Sequence, residues 1–157
     1  EESLYEHDRY RAVPRPTNLA GFLTVSDASR LIRVMHVFKF LHDGGTERYI
    51  HTLIAGMNPA IYSFSICCLN ERGTKAERFE RENCPVHTLG FRRQGSLFSM
   101  VHNVMEIFRL ARLLKACEID VMHTHDNYSA VYARIAAVIA RVPVVYVTYH
   151  SDFQWLG

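Results

Sequence analysis

Three short stretches hold the residues of this chain that could do chemistry: "LHDGGTE" at 41–47, "HTHDN" at 123–127 and "TYHSD" at 148–152. In the first, Gly44 and Gly45 stand between an apolar run and a helix-like segment. Glycine permits positive φ and close backbone approach to a ligand, and Thr46 is placed to cap the helix that follows. The free N–H groups of such a helix start, with their partial positive charge, favour a phosphate. A plain turn needing flexible residues is the competing reading of the pair. The loop is neither G-x-G-x-x-G nor G-x-x-x-x-G-K-[ST], so it carries neither a dinucleotide fingerprint nor a P-loop.

In the second stretch His123 and His125 flank Thr124, and residues i and i+2 of a strand point the same way. With Asp126 beside them they offer the H-x-H plus carboxylate ligands of a metal hydrolase, with His150 and Asp152 as the only obvious supplement. His36 and His87 lie within strand patterns and read as core or sheet-edge histidines. His42 and Asp43 precede the glycines, either lining a cleft or forming a solvated turn. Glu47 falls in a first helical turn, where a carboxylate suits the helix dipole; a cap and a contact in the cleft are both open to it. No nucleophile stands out, since G-x-S-x-G is absent. Cys67 and Cys68 sit inside a strand pattern on alternating sides, packed instead of reactive.

These stretches are positioned by a regular alternation that starts at Leu31. "LIRVMHVFKF", "IYSFSICCL", "CPVHTLGF", "IDVMHTH" and "VPVVYVTYH" read as five short, near-continuously apolar strands. Between them "TERYIHTLIAGM", "KAERFEREN", "LFSMVHNVMEIFRLARLLKACE" and "SAVYARIAAVIARV" read as helices. Strictly alternating strand and helix predicts an α/β fold: a doubly wound, Rossmann-like parallel sheet with helices on both faces. Such sheets bind ligands outside the carboxyl ends of their strands, so the three stretches are expected to face one cleft.

Composition narrows the class. Apolar and aromatic residues make up 48% of the 157, enough for a globular core instead of a disordered chain. A net charge of +2 gives no ground for a nucleic-acid partner. Cys67, Cys68, Cys84 and Cys117 form no C-x-x-C pair and read as reduced, buried thiols. There is no leader pattern and no apolar run near the roughly 18 residues of a membrane span, so a cytoplasmic location is expected. Residues 1–30 are charged, carry Pro14 and Pro16 and show no period. They are expected to be an extension outside the domain of residues 31–157, with Tyr5 and Tyr10 as candidates to dock on it.

At this point the residues resemble a family. "RVMHVFKFLHDGGTERYIHTLIAGM", "CPVHTLGF" and "DVMHTHDNYSAVYARIAAVIARVPVVYVTYH" follow one another as in the amino-terminal domain of glycosyltransferase family 4, over about residues 31–150. The resemblance implies one half of a two-domain GT-B architecture. Its front domain mostly holds the acceptor, its rear domain most of a nucleotide-sugar donor. The chemistry is generally retaining, with no metal and no cofactor. By the same resemblance Gly44 and Gly45, with Thr46, match the loop near the donor's phosphates. His125 matches the histidine that reaches the reacting sugar, with Asp126 and Asn127 beside it, and His150 closes strand five at the same cleft.

One departure matters. The rear domain's paired glutamates have no counterpart, and the sequence stops just after the fifth strand. The expectation is an acceptor-side half, a truncated product or split subunit, inactive without its C-terminal domain. Its partners would be the nucleotide-sugar donor and a glycan or lipid-linked acceptor, with no nucleic acid. The alternatives are a non-catalytic Rossmann-like binding or partner module and the metal hydrolase above. The long helix with Arg92, Arg93, Arg109, Arg112 and Lys115 nearby reads as an amphipathic cover for the sheet. Its sharper reading is peripheral docking on an anionic membrane.

Overall fold

A computed structural model describes residues 30–42, 44–93 and 95–149. The expectations for the first 29 residues, for Asp43 and for His150 and Asp152 fall outside the described residues. Nine elements alternate: β1 (Ile32–Phe40), α1 (Gly45–Gly56), β2 (Tyr62–Glu71), α2 (Ala76–Arg81), β3 (Val86–Thr88), α3 (Leu97–Ala116), β4 (Val121–Thr124), α4 (Asn127–Ala140) and β5 (Val144–Val147). All pairings are parallel, and the strand order is β3-β2-β1-β4-β5. This is the doubly wound α/β sheet that the alternation predicts.

Side chains alternate across a strand, and two cores result. Met35, Val37, Cys67 and Met122 pack on one face against Leu110 and Leu114 of α3 and Ala133 and Ala136 of α4. Phe38, Ile66 and Cys68 pack on the other against Ile50 of α1 and Phe79 of α2. Cys67 and Cys68 therefore do face opposite sides. Burial on both faces fails at β5, where Val144, Val145 and Tyr146 are exposed. β5 is an edge strand among the described residues, and an apolar run by itself does not say what covers it.

The long helix α3 departs most from its expected form. Ser96 caps it, with Ser99 completing a reciprocal capping box. Its first half turns polar residues inward. Asn103 holds both backbone groups of Arg92, donating from Nδ2 to the carbonyl at 2.9 Å and accepting the N–H at 2.8 Å. Glu106, which is buried, accepts the N–H of Gly90 at 3.1 Å and the Arg109 guanidinium at 2.8 Å. These bonds satisfy the loop after β3, whose backbone groups would otherwise be unpaired. Leu97, Phe98, Val101, Val104, Met105 and Phe108 face outward instead and are exposed. Among the described residues no helix is long and apolar enough to cross a membrane.

Candidate functional site

The strand order reverses between β1 and β4, and such a switch point opens a crevice at the carboxyl ends of the strands. What fills that crevice is set by two helix starts. Asp126 caps α4 in extended backbone. Its Oδ1 accepts the Ser129 N–H at 2.7 Å, and its Oδ2 accepts the Ser129 hydroxyl at 2.7 Å. Oδ2 also accepts the backbone N–H of Lys39 at 3.2 Å, which ties the end of β1 to the start of α4. Asn127 begins α4 and is exposed.

The glycine pair is used differently from the expectation. Gly44 caps α1 with φ −152°, which is extended backbone, and Gly45 is the first helical residue. Neither needs positive φ. Thr46 does not cap the helix: it lies inside the first turn, and the cap residue before it has no side chain to accept a bond. Space does not demand glycine strictly at 44, because the only close neighbour is the free end of the Glu47 side chain, which can swing aside. A Cβ there would stand 2.6 Å from Oε2 of Glu47, whereas one on Gly45 would meet nothing within 4 Å. The Glu47 carboxylate thus lies at the mouth of α1, complementing the helix dipole.

His125, Asp126, Thr46, Glu47 and Lys39 line one cavity of about 210 Å³. Gly44 and Gly45 are not among its lining residues; Thr46 and Glu47 bring the start of α1 to it. His125 and the start of α1 therefore lie on the same rim. Alongside runs an open groove of about 810 Å³, lined by Lys39, Phe40, Asn70, Arg93, Tyr128 and Tyr132 among others. The Lys39 ammonium stands 5.3 Å from the ring centres of both Phe40 and Tyr128. Sequence reading missed Lys39, Asn70 and Tyr128. The signal was available, because all three sit at strand ends or a helix start on the crevice side.

His36 joins this site from beneath. It is buried in β1, in register opposite His123 of β4. Its Nδ1 lies 3.0 Å from Nε2 of His125. Burial, reinforced by the neighbouring His123, pulls its pKa down to about 3, so the ring is neutral near pH 7. The core position expected for His36 holds, but the ring also completes a cluster with the H-x-H pair. Asp126 does not take that place, because its carboxylate is committed to the α4 cap. His87 sits in the edge strand β3 with its pKa lowered by burial. His42 is exposed and pairs with Glu71 at 3.2 Å. Burial pushes the thiols of Cys68 and Cys84 up to about 12 and that of Cys67 further, so none is a nucleophile.

The arrangement can hydrogen-bond hydroxyl groups through imidazole and can meet negative charge at Lys39 and Arg93. Among solved structures, a glycosyltransferase from Rickettsia africae ESF-5 is similar, with a TM-score of 0.48 and 16% identity over 76% of this chain. The chain spans 29% of the length of that protein. No curated protein sequence matches it. The family model described as "Glycosyl transferase 4-like domain" matches residues 44–157, from the glycine loop through the H-x-H stretch to the last residue. With most of its length matched, this chain belongs to the glycosyl transferase 4-like domain family.

Proposed function

We propose that this chain is the acceptor-side half of a nucleotide-sugar-dependent, retaining glycosyltransferase that transfers a sugar to a glycan or lipid-linked acceptor. One observation carries the reading: His125 and the start of α1 line the same small cavity at the β1–β4 switch point. In this reading His125 hydrogen-bonds the reacting sugar. Gly44 and Gly45 admit the donor diphosphate at the start of α1, where it displaces the Glu47 carboxylate and open space over Gly45 leaves its backbone approachable. Thr46 lies at that edge, and Asp126 fixes the backbone next to His125. Asn127, the first residue of α4, stands beside them. The acceptor occupies the larger groove, where Tyr128 offers a ring to stack on and Lys39 and Arg93 suit an anionic group.

Charge developing on the departing diphosphate must be stabilised for transfer to proceed. In this reading that stabilisation comes mostly from a second domain, and the step needs no metal or cofactor. The exposed apolar face of α3 rests on the cytoplasmic side of a membrane that carries the acceptor.

The test joins this chain to a downstream or partner domain and measures transfer from a panel of nucleotide sugars. His125→Ala is expected to lower turnover by more than about tenfold with the circular dichroism spectrum unchanged. Undiminished turnover in that variant defeats the assignment. A completed protein that transfers nothing favours a non-catalytic binding module.

A further inference from the structure

His36, His123 and His125 converge from two adjacent strands, with one ring nitrogen of each within 4.8 Å of the other two. Two of these residues share a face by the H-x-H spacing, and the third stands across the strand pair in register with the first. Ring centres are 5.2 Å apart for His36 with each partner and 4.0 Å for His123 with His125. An independent observation sits beside this convergence. His36 is 1% exposed, and its Nε2 is buried without a hydrogen-bond partner. A buried polar atom left unpaired is costly, so the fold keeps this imidazole in the core at a penalty; the nitrogen that faces His125, and that a metal would take, is Nδ1.

We infer that His36, His123 and His125 form a three-nitrogen site for a borderline divalent cation, Zn²⁺ above all. Imidazole nitrogen suits such ions. Zinc takes nitrogen ligands at about 2.0–2.1 Å, which sets two of them roughly 3.4 Å apart in a tetrahedron. His36 Nδ1 and His125 Nε2 already stand 3.0 Å apart, so modest side-chain rotations close the rest. The surroundings are those of a ligand set. The Nε2 of His123 is 2.8 Å from the Thr148 hydroxyl, which fixes that ring beside the cluster. Phe64 stacks on His36, Phe38 stacks on His125 and Tyr146 meets His123 edge-on, a largely apolar wall around the nitrogens. His125 also lines the crevice cavity, so a fourth position toward it is open to water.

The inference does not rest on the transferase reading, because it concerns binding alone. It does bear on it: a metal that holds His125 withdraws that ring from a sugar, so Zn²⁺ would act as an inhibitor there.

The experiment titrates the full 157-residue chain, stripped with chelator, with Co²⁺ and Zn²⁺. Tetrahedral visible bands of bound Co²⁺, displaced by one equivalent of Zn²⁺, are expected. His36→Gln and, separately, His123→Gln should weaken binding about tenfold or more, each checked for fold by circular dichroism. His102→Gln, whose ring meets the Gly90 carbonyl in the loop after β3 and is not part of the cluster, should leave it unchanged. His123 is only half-buried, so its variant keeps the test valid if the His36 variant fails to fold. No stoichiometric binding in the wild-type chain overturns the inference, as does binding that a folded His123 variant retains in full.

Discussion

The Oδ2 of Asp126 accepts the backbone N–H of Lys39 at 3.2 Å while the same carboxylate caps α4 through Ser129. One side chain thus joins the end of the central strand to the helix start that borders the crevice. Removing an aspartate cap costs about 1–2 kcal/mol, and here the Lys39 N–H loses its acceptor as well. Asp126→Ala is expected to destabilise the chain by at least that amount in urea unfolding. Asp126→Asn keeps a capping oxygen and should lose less. Equal stability of the alanine variant and wild type would show that the cap contributes nothing.

Two glycines offer a contrast that separates fold from site. Gly73 has φ +72°, and a Cβ on it would collide with the carbonyl of Leu41, just past the end of β1. Left-handed backbone plus a clash with main chain leaves no cheap escape, so Gly73→Ala is expected to cost at least about 2 kcal/mol. Gly45 begins a helix, and a Cβ there meets nothing. Gly45→Ala should leave stability unchanged or raise it by up to about 1 kcal/mol, while lowering transfer in a completed enzyme if a phosphate passes over that position. A Gly45 variant that unfolds early, or a stable Gly73 variant, would reverse the assignment of the two roles.

The sequence made the sheet legible because each strand is bounded by turn residues and each helix holds its period. It also pointed to the crevice, since the ends of β1 and β4 carry its glycines and histidines. Capping was less legible. Thr46 has the chemistry of a cap, but where a helix begins depends on backbone angles that composition does not reveal, and α1 starts one residue earlier. His36 shows the other limit. Nothing local distinguishes it from any core histidine, and only the β1–β4 register sets it opposite His123. In α3, Asn103 and Glu106 look like solvent-facing residues until the loop after β3 supplies N–H groups that need them.

The thiols predict a pH dependence with a definite sign. Burial raises Cys68 and Cys84 from 9.0 to about 12, and Cys67 moves the same way. On the alkaline side of 9.0 the unfolded chain releases these protons while the folded chain keeps them. The folded state then binds more protons, so stability falls as pH rises. This contribution is fully present below the unfolded value and is lost on going up toward 12. Urea midpoints should therefore decline above pH about 9. At pH about 8 a thiol reagent should label Cys117 first, because it is only partly buried, and the other three only on unfolding. Rapid labelling of all four in the folded chain would contradict the buried positions.

The outward face of α3 makes the membrane contact proposed above testable. Phe98, Val101, Met105 and Phe108 are each more than half exposed, and a contiguous apolar patch of this kind on a folded domain marks a contact surface. Charge argues for lipid. Arg109, Arg112 and Lys115 follow on the same helix, and the Arg92 guanidinium lies 5.4 Å from the Phe98 ring centre. Such a helix rests in the interface with its apolar side down and its cations among anionic headgroups. The chain should sediment with anionic vesicles at low salt and be released as ionic strength rises, because the charge component is screened. Phe98→Glu combined with Phe108→Glu should abolish sedimentation with little change in melting temperature, since neither ring is in the core. A wild-type chain that stays in the supernatant at low salt would leave this face to a protein partner instead.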